Sequence, residues 1–269
     1  MSFQFTRRSG LALLAGAAAT LAARPAAAVG AIKHYILVEP KPGFDMLALD
    51  RWYMTFHAPE VRRAFKAWQR NYVSFRSYAA PPEARALGVR EGRMTEIQFD
   101  SLADFRESRP NNVYGGLSSF TPPPGGWENA PFETTTATLP VNPDKLFLSG
   151  PTPPKETPYL RWILFFRYPP GTAADAGDAW FNDVHGPELA KAKGLRRLAL
   201  YRAVNETSPY PRVAEFWFDD YAAWKAAFVG GPRFTAPAWG GTFPFGETRS
   251  MFIGENPDID FIHDRRVIP

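Results

Sequence analysis

The segment Arg51-Trp52-Tyr53-Met54-Thr55-Phe56-His57-Ala58-Pro59-Glu60 recurs later in the chain as Ala179-Trp180-Phe181-Asn182-Asp183-Val184-His185-Gly186-Pro187-Glu188. A tryptophan, a second aromatic residue, a histidine, a proline and a glutamate keep the same spacing in both. Three further pairs of segments follow in the same order: 94–100 with 213–219, Gly115-Gly116 with Gly230-Gly231, and Asn142-Pro143-Asp144 with Asn256-Pro257-Asp258. Matched segments in one order predict that the chain contains two copies of one unit.

Each copy has the residue patterns of strand, helix, strand, strand, helix and strand. Apolar and alternating runs predict strands, and apolar residues at helical spacing predict helices. In the first half, the predicted elements are 34–39, 45–66, 73–78, 95–99, 101–107 and 134–139, and Ser101 is the expected cap of the helix at 101–107. In the second half, they are 162–167, 178–191, 198–202, 213–218, 221–228 and 249–253.

This β-α-β-β-α-β order is the ferredoxin-like pattern of α+β proteins. Its helices cover one face of the sheet, so the other face needs a second partner. We therefore predict that the two ferredoxin-like sheets pack face to face as a barrel within one chain. Pro59 is expected to interrupt the first long helix, because proline removes a backbone donor.

Residues 1–28 have the composition of a cleaved export signal. Arg7-Arg8 precede an Ala- and Leu-rich run, and Ala26-Ala27-Ala28 forms a small-residue cleavage site. The paired arginines point to the twin-arginine route, hence to a periplasmic or secreted protein. The run is shorter than the roughly 20 residues that span a bilayer, so no stable membrane association is expected after cleavage.

The predicted domains are the first repeat at 29–150, a proline-rich linker at 151–159, and the second repeat with a C-terminal tail at 160–269. Prolines make the linker stiff and extended. Residues 118–131, rich in proline and glycine, are predicted to form a long surface loop or lid. His263 lies in the tail from 259 to 269, which is expected to wrap the surface.

Charge and composition exclude several classes of protein. Three of the 31 basic residues and none of the 27 acidic ones lie in 1–28, which leaves a net charge of only +1 on the remainder. Nucleic acid is therefore not an expected partner. The chain has 0 cysteines, which excludes disulfides, thiolate ligands and cysteine nucleophiles. No phosphate-binding glycine loop, Gly-x-Ser-x-Gly or His-Glu-x-x-His motif occurs.

The repeated Trp-aromatic-x-x-x-His-(Gly/Ala)-Pro helix, with Leu195-Arg196-Arg197 before Tyr201 and the run Ala214–Asp220, resembles the EthD-like branch of the dimeric α+β barrel superfamily. The resemblance covers roughly residues 32–144 and 160–258. It implies a chain that carries both halves of the dimer in one polypeptide, with further oligomerisation possible. Members of the superfamily include lactone isomerases, decarboxylases, cofactor-free monooxygenases and haem-binding enzymes, so the resemblance alone leaves the reaction open.

His57 and His185 are the first candidate catalytic residues. Histidine titrates near neutral pH and transfers protons efficiently. The resemblance implies that this histidine faces the cavity beside the sheet. A structural role is an equal alternative, in which the imidazole bonds a backbone group near Pro59 or Pro187.

Glu96 and Glu215 are the second pair of candidates. Strand alternation places each on the face opposite its apolar neighbours, which should meet the helices, so both glutamates are expected inside the barrel. There they could act as acid or base. The alternative, which we favour, is an internal salt bridge with Arg76 and Arg202 as partners, because buried charges are usually paired.

The remaining candidate residues have simpler structural explanations. Glu60 and Glu188 complete the His-x-Pro-Glu pattern, and the helix dipole favours a carboxylate there. Because a metal site needs three or four converging ligands, no metal is predicted. The candidate substrate-binding residues are Tyr35, Trp68, Arg76, Tyr78, Tyr201, Arg202 and Trp217, although aromatic residues more often only pack.

The halves also differ: His34 is matched by Trp162, and Glu39 by Arg167. This difference is consistent with one cavity that has specialised and another that has become structural. The leading hypothesis is a lyase or isomerase without a cofactor, acting by His/Glu proton transfer on a small aromatic or lactone-like molecule. The alternatives are a haem-binding, peroxidase-like enzyme and a periplasmic binding protein without catalysis.

Overall fold

The computed structural model describes residues 30–111, 119–150, 157–204, 208–230 and 234–261. The predicted signal segment 1–28, the pair Gly115-Gly116, Gly231, most of the linker and His263 lie outside these residues.

Two five-stranded antiparallel sheets form the described structure. The first sheet has the order β10-β2-β3-β1-β4 and the second has the order β5-β7-β8-β6-β9. The strands are β1 Ile32–Pro40, β2 Gln69–Arg76, β3 Arg93–Phe99, β4 Phe132–Pro140, β5 Lys145–Ser149, β6 Leu160–Phe166, β7 Leu195–Arg202, β8 Arg212–Phe218, β9 Thr248–Ile253 and β10 Ile259–Asp260. The predicted α+β class and barrel-like pairing of two sheets are confirmed.

The helices cover the outer face of each sheet. They are α1 Met46–Trp52, α2 Ala58–Phe65, α3 Pro82–Ala86, α4 Leu102–Asn111, α5 Ala174–Trp180, α6 Gly186–Leu189 and α7 Tyr221–Phe228. The predicted cap of α4 is present, since the backbone N–H of Asp104 donates to Ser101 Oγ at 3.0 Å. The short helix α3 was not predicted.

A π-helical turn, not a break at proline, joins the long helices. Residues Tyr53–His57 and Phe181–His185 form these turns. The N–H of Ala58 donates to the carbonyl of Tyr53, which is one residue more than an α-helical bond spans. In each turn, the histidine lies immediately before the Ala-Pro or Gly-Pro pair. The helix continues through this point, so the interruption expected at Pro59 does not occur.

Each half of the chain donates one strand to the sheet of the other half. Strand β5 pairs with β7, and β10 pairs with β2. Neither strand was predicted, because each is short and follows an Asn-Pro-Asp turn. The expectation that the chain wraps the surface from residue 259 onward is wrong for its first residues, since Ile259 and Phe261 are buried against the first sheet.

The barrel interior is filled by side chains from both sheets. Residues such as Leu37, Met94, Phe165 and Val213 belong to one buried cluster between the sheets. The opposite strand faces meet the helices, as predicted for Ile97, Phe99, Ala214, Phe216 and Phe218. Strand alternation therefore separates two compartments, the barrel interior and a helix-covered space on each outer face.

A buried ionic cluster lies inside the barrel. Glu215 accepts from Arg161 at 2.9 Å and from Lys33 at 3.5 Å. The Tyr35 hydroxyl and the Trp217 indole also donate to it, at 3.3 and 2.6 Å. Burial alone would raise the pKa of Glu215, but Arg161 and Lys33 outweigh burial and hold this pKa below its usual value.

The internal salt bridge therefore has partners other than those expected. Arg76 pairs with Asp50 at 3.1 Å and Arg202 with Asp178 at 2.6 Å. Both arginines alternate onto the helix-covered face, because Arg76 lies opposite Arg93 and Arg202 lies opposite Arg212 in the strand register. They cannot reach a carboxylate inside the barrel.

Replacing Glu215 by Gln should lower the free energy of unfolding by about 3–5 kcal/mol, because Lys33 and Arg161 would remain buried without their counter-charge. Urea unfolding monitored by circular dichroism measures this. The control is Glu83→Gln, which removes the surface ion pair with Lys225 and should leave the unfolding midpoint within error. Equal, small effects of both substitutions would contradict the assigned role of the cluster.

Candidate functional site

The first half encloses a cavity between its sheet and its helices. Its volume is about 680 Å³, which is within the range of small-molecule sites. The sheet contributes the helix-facing residues of β1, β3 and β4, among them His34, Ile36 and Thr136. The helices contribute Tyr53, His57, Val61, Phe65, Phe105 and Arg109. The lining is mostly apolar, with a few polar groups.

The loop at 119–131 completes the aromatic wall of this cavity with Trp127. Trp127 and Phe132 line the cavity with Trp52. Trp52 stacks on Phe132 at a centroid distance of 5.5 Å and meets Trp127 edge to face at 5.9 Å. The Trp52 indole also donates to the carbonyl of Thr121 at 3.1 Å. The wall is therefore tied to the helix that carries His57.

The glutamate of the His-x-Pro-Glu motif fastens this loop. Glu60 accepts from the backbone N–H of Thr121 at 2.9 Å and from its hydroxyl at 2.6 Å. Glu188 holds Thr235 in the same way, at 2.8 and 2.5 Å. The motif thus couples the histidine-bearing turn to the loop that covers it, which is a more specific role than a helix-dipole contact.

His57 lies on the cavity wall, packed among rings. Its imidazole stacks on Trp52 at 4.9 Å and lies 5.2 Å from the ring of Tyr53. Within the described residues, its Nδ1 atom is buried without a hydrogen-bond partner. Burial lowers the pKa of His57 to about 4, although nearby Glu60 opposes the shift. The imidazole is therefore neutral at pH 7.

A polar chain crosses one end of the cavity. His34 Nδ1 lies 2.9 Å from Thr138 Oγ1, and Arg109 Nη2 lies 3.4 Å from His34 Nε2. The guanidinium of Arg109 also lies 4.7 Å from the ring centre of Phe105. Burial and, secondly, the charge of Arg109 lower the pKa of His34 to about 3, so His34 is neutral.

His34 was singled out from the sequence, whereas Arg109 and Thr138 were not. Aligning α4 with α7 from their N-cap residues, Ser101 and Asp220, matches Arg109 with Phe228. The strand registers pair His34 with Thr138 and Trp162 with Phe252. Comparing the halves position by position could therefore have found all members of the polar chain.

The equivalent space in the second half is filled with aromatic rings. Trp162 packs on Phe216 at 4.9 Å and on Phe228 at 4.8 Å. His185 stacks on Trp180 at 4.5 Å and contacts Phe243 at 4.7 Å. It is only 1% exposed, and within the described residues neither ring nitrogen has a hydrogen-bond partner. Its environment is that of a core residue.

The remaining candidates lie away from this cavity. Glu215, Tyr35, Tyr201 and Trp217 share the ionic cluster inside the barrel. Glu96 is also buried there and accepts from Gln98 at 2.6 Å. The sheet itself separates these side chains from His57.

Arg76 and Arg202 form the ion pairs with Asp50 and Asp178 described above. Trp68 packs against the first-half core, and Tyr78 is 49% exposed at the surface. The structure therefore brings together His57 and His34 at a cavity. It does not bring the predicted substrate-binding residues to that place.

No group of three or more histidine, aspartate or glutamate side chains in the described ranges is arranged to hold a metal ion. Among the helices that the structure describes, none has the length and apolar character needed to cross a membrane.

A solved structure of similar fold supports this architecture. An anthrone oxidase-like protein matches with a TM-score of 0.54 at 13% identity, over 84% of this chain and 91% of that chain. A chlorite dismutase variant from Candidatus Nitrospira defluvii matches with a TM-score of 0.44 at 11% identity, over 84% of this chain and 92% of that chain. No protein-family model and no curated protein sequence matches. The fold is that of the dimeric α+β barrel proteins.

Replacing His185 by Phe should make stability less dependent on pH. Burial lowers the pKa of His185 to about 4, whereas an unfolded histidine titrates near 6.5. The unfolded state therefore gains a proton first, and stability falls as pH drops from about 6.5 to 4. At pH 5 the histidine costs about 2 kcal/mol, which the variant avoids.

Urea unfolding of both proteins at pH 7 and pH 5 measures this difference. At pH 7 the variant should be at least as stable as the wild type, because the buried imidazole has unpaired polar atoms. The same loss of stability at pH 5 in both proteins would show that His185 is accessible to protons in the folded state.

Proposed function

We propose that this protein is an exported lyase or isomerase that works without a cofactor and moves a proton on a small, flat, largely apolar molecule bound in the first-half cavity. His57 is the group that accepts and returns the proton. The proposal includes descent from an EthD-like unit that was duplicated within one chain, for which the shared strand order and the paired His-x-Pro-Glu contacts are the support.

The observation that carries the proposal is a neutral imidazole on the wall of an aromatic cavity. A base must hold an open lone pair at working pH, and the lowered pKa of His57 keeps it unprotonated. The same low pKa makes His57 a weak base and its imidazolium a strong acid. The substrate must therefore carry an acidic proton, such as one beside a carbonyl group, and the proton once taken is readily delivered to another atom. Such a return suits an isomerisation or an elimination.

The geometry also defines how the substrate is held. Trp52, Trp127 and Phe132 form a flat, apolar wall, which favours an aromatic or lactone-like ring. The loop that carries Trp127 is fastened by Glu60, so the wall keeps its position relative to His57. Glu96 and Glu215 have no part in this proton transfer, because they lie on the other side of the sheet.

Haem is the alternative cofactor, and the described residues do not fit it well. A metal-ligating histidine almost always donates its second ring nitrogen to a carboxylate, a carbonyl or water. Within the described residues, Nδ1 of His57 has no such partner, and both ring nitrogens of His34 already have neighbours. The proposal therefore contains no step through haem.

Export and solubility belong to the same proposal. The twin-arginine-type segment at 1–28 supports a periplasmic or secreted location, and the near-neutral charge of the remainder argues against nucleic acid as a partner. A periplasmic protein that binds the same molecule without converting it is the second alternative. Turnover by the wild type distinguishes it from an enzyme.

Replacing His57 by Gln should lower kcat by about 100-fold or more, the usual contribution of a general base. The assay is product formation from a panel of aromatic lactones and enolisable ketones, followed by chromatography. The control is His185→Phe, which should retain wild-type turnover. Activity of the wild type should also fall as pH drops through about 4, where His57 becomes protonated. Unchanged turnover in the His57→Gln variant would end this proposal.

Adding haemin to the purified protein should leave its absorbance spectrum equal to the sum of the two components, since no oriented imidazole is offered to the iron. The measurement is a titration in the Soret region, repeated with the His57→Gln variant. A shifted Soret band in the wild type that is absent from the variant would replace the proton-transfer proposal with the haem alternative.

A further inference from the structure

The polar end of the first cavity differs from the second half at three linked positions. His34, Thr138 and Arg109 form a chain of contacts at 2.9 and 3.4 Å. The corresponding residues are Trp162, Phe252 and Phe228 by strand register and by position in α4 and α7. Trp162 lies 4.8 Å from Phe228 and 6.4 Å from Phe252. The same framework thus accepts either three contacting polar residues or three contacting rings.

The second half shows which side chains the fold accepts at these three positions. Aromatic residues at these positions pack the second half closely, with Trp162 fully buried. His34 and Thr138 are buried but partner each other, whereas Arg109 is an exposed residue whose side chain lines the cavity. The first half therefore keeps an open cavity with a cation at its edge, where the second half has packed rings.

Arg109 gives that end of the cavity a positive charge. Among the described residues that line the cavity, it is the one with a permanent charge, since His34 and His57 are neutral and none is acidic. A guanidinium presents N–H donors in a planar fork that matches a carboxylate. Its interaction with an anion gains strength beside apolar walls, where the effective dielectric constant is lower than in water.

His34 acts as a positioning residue for this guanidinium. Arginine can only donate hydrogen bonds, so His34 Nε2 must accept from Arg109. The proton of the neutral imidazole then resides on Nδ1, which donates to Thr138 Oγ1. This arrangement orients Arg109 toward the cavity without adding a second positive charge.

We infer that the molecule bound in the cavity carries a negatively charged oxygen, a carboxylate or a phenolate, which Arg109 binds while the ring lies against Trp52 and Phe132. The inference rests on the proposed use of this cavity as the substrate site and defines the class of substrate more closely. An aromatic or lactone-like acid fits it, whereas a neutral hydrocarbon ring offers no charge for the guanidinium of Arg109 to bind.

The test compares 2-naphthoate with 2-naphthamide, which share a ring system and differ in charge. Binding to the full-length mature protein is followed by quenching of tryptophan fluorescence and by calorimetry. Naphthoate should bind at least about tenfold more tightly, as expected for a charge-assisted contact. Arg109→Gln should abolish that preference while the affinity for naphthamide stays the same. Arg106→Gln, an exposed change in the same helix, is the matched control and should behave as wild type.

Equal affinity for the two probes in the wild type, or a preference for naphthoate that survives Arg109→Gln, would overturn the inference. Binding of neither probe would overturn it as well. A triple variant, His34→Trp, Thr138→Phe and Arg109→Phe, copies the second half and should bind neither probe. These binding experiments measure no turnover. The proton-transfer proposal is tested separately, by whether His57→Gln loses catalysis while its binding of naphthoate stays unchanged.

Discussion

Strand alternation imposes the main constraint on this molecule. Each strand residue faces either the barrel interior or the helix-covered side, and a one-residue change of position moves a side chain between these compartments. The barrel interior contains Glu215 with Arg161 and Lys33. The helix-covered side of the first sheet contains the cavity with His57. The parity of its position therefore decides which compartment an ionisable strand residue enters, and it keeps Glu96 and Glu215 out of the cavity.

The two outer compartments show two uses of one framework. In the first, a polar chain and an aromatic wall surround open space. In the second, Trp162, Phe228 and Phe243 occupy the corresponding volume, and His185 is enclosed among rings. Dense aromatic packing contributes hydrophobic burial and favourable ring contacts. This burial stabilises the second half, while the first half leaves apolar surface uncovered.

The sequence predicted much of the fold because the relevant signals are local. The alternation in β3 and β8, the helical spacing around His57 and the serine cap of α4 each operate within a few residues. The π-helical turns were not predictable, since proline at position 59 favours a simple interruption. The strands β5 and β10 were missed for another reason: each is defined by a partner strand distant in sequence.

The candidate site was predictable only in part. His57 stood out because its motif recurs, and His34 stood out because it does not match Trp162. Arg109 and Thr138 belong to no motif, and only a position-by-position comparison with Phe228 and Phe252 could have drawn attention to them. Their role depends on which side chains the sheet and α4 bring together. The salt-bridge partners of Glu215 were assigned incorrectly because arginines near in space were considered without their strand parity.

Strand β10, from the second half, pairs with β2 in the first sheet. The structure of the first half therefore depends on the second half. Asp258, just before β10, binds buried Arg93 at 2.7 Å. Arg93 in turn lies 4.6 Å from the ring centre of Tyr53, which lines the cavity. A change in the second half near Asp258 can therefore reach the wall of the first-half cavity through two contacts. The two halves depend on each other for structure even where their outer compartments differ.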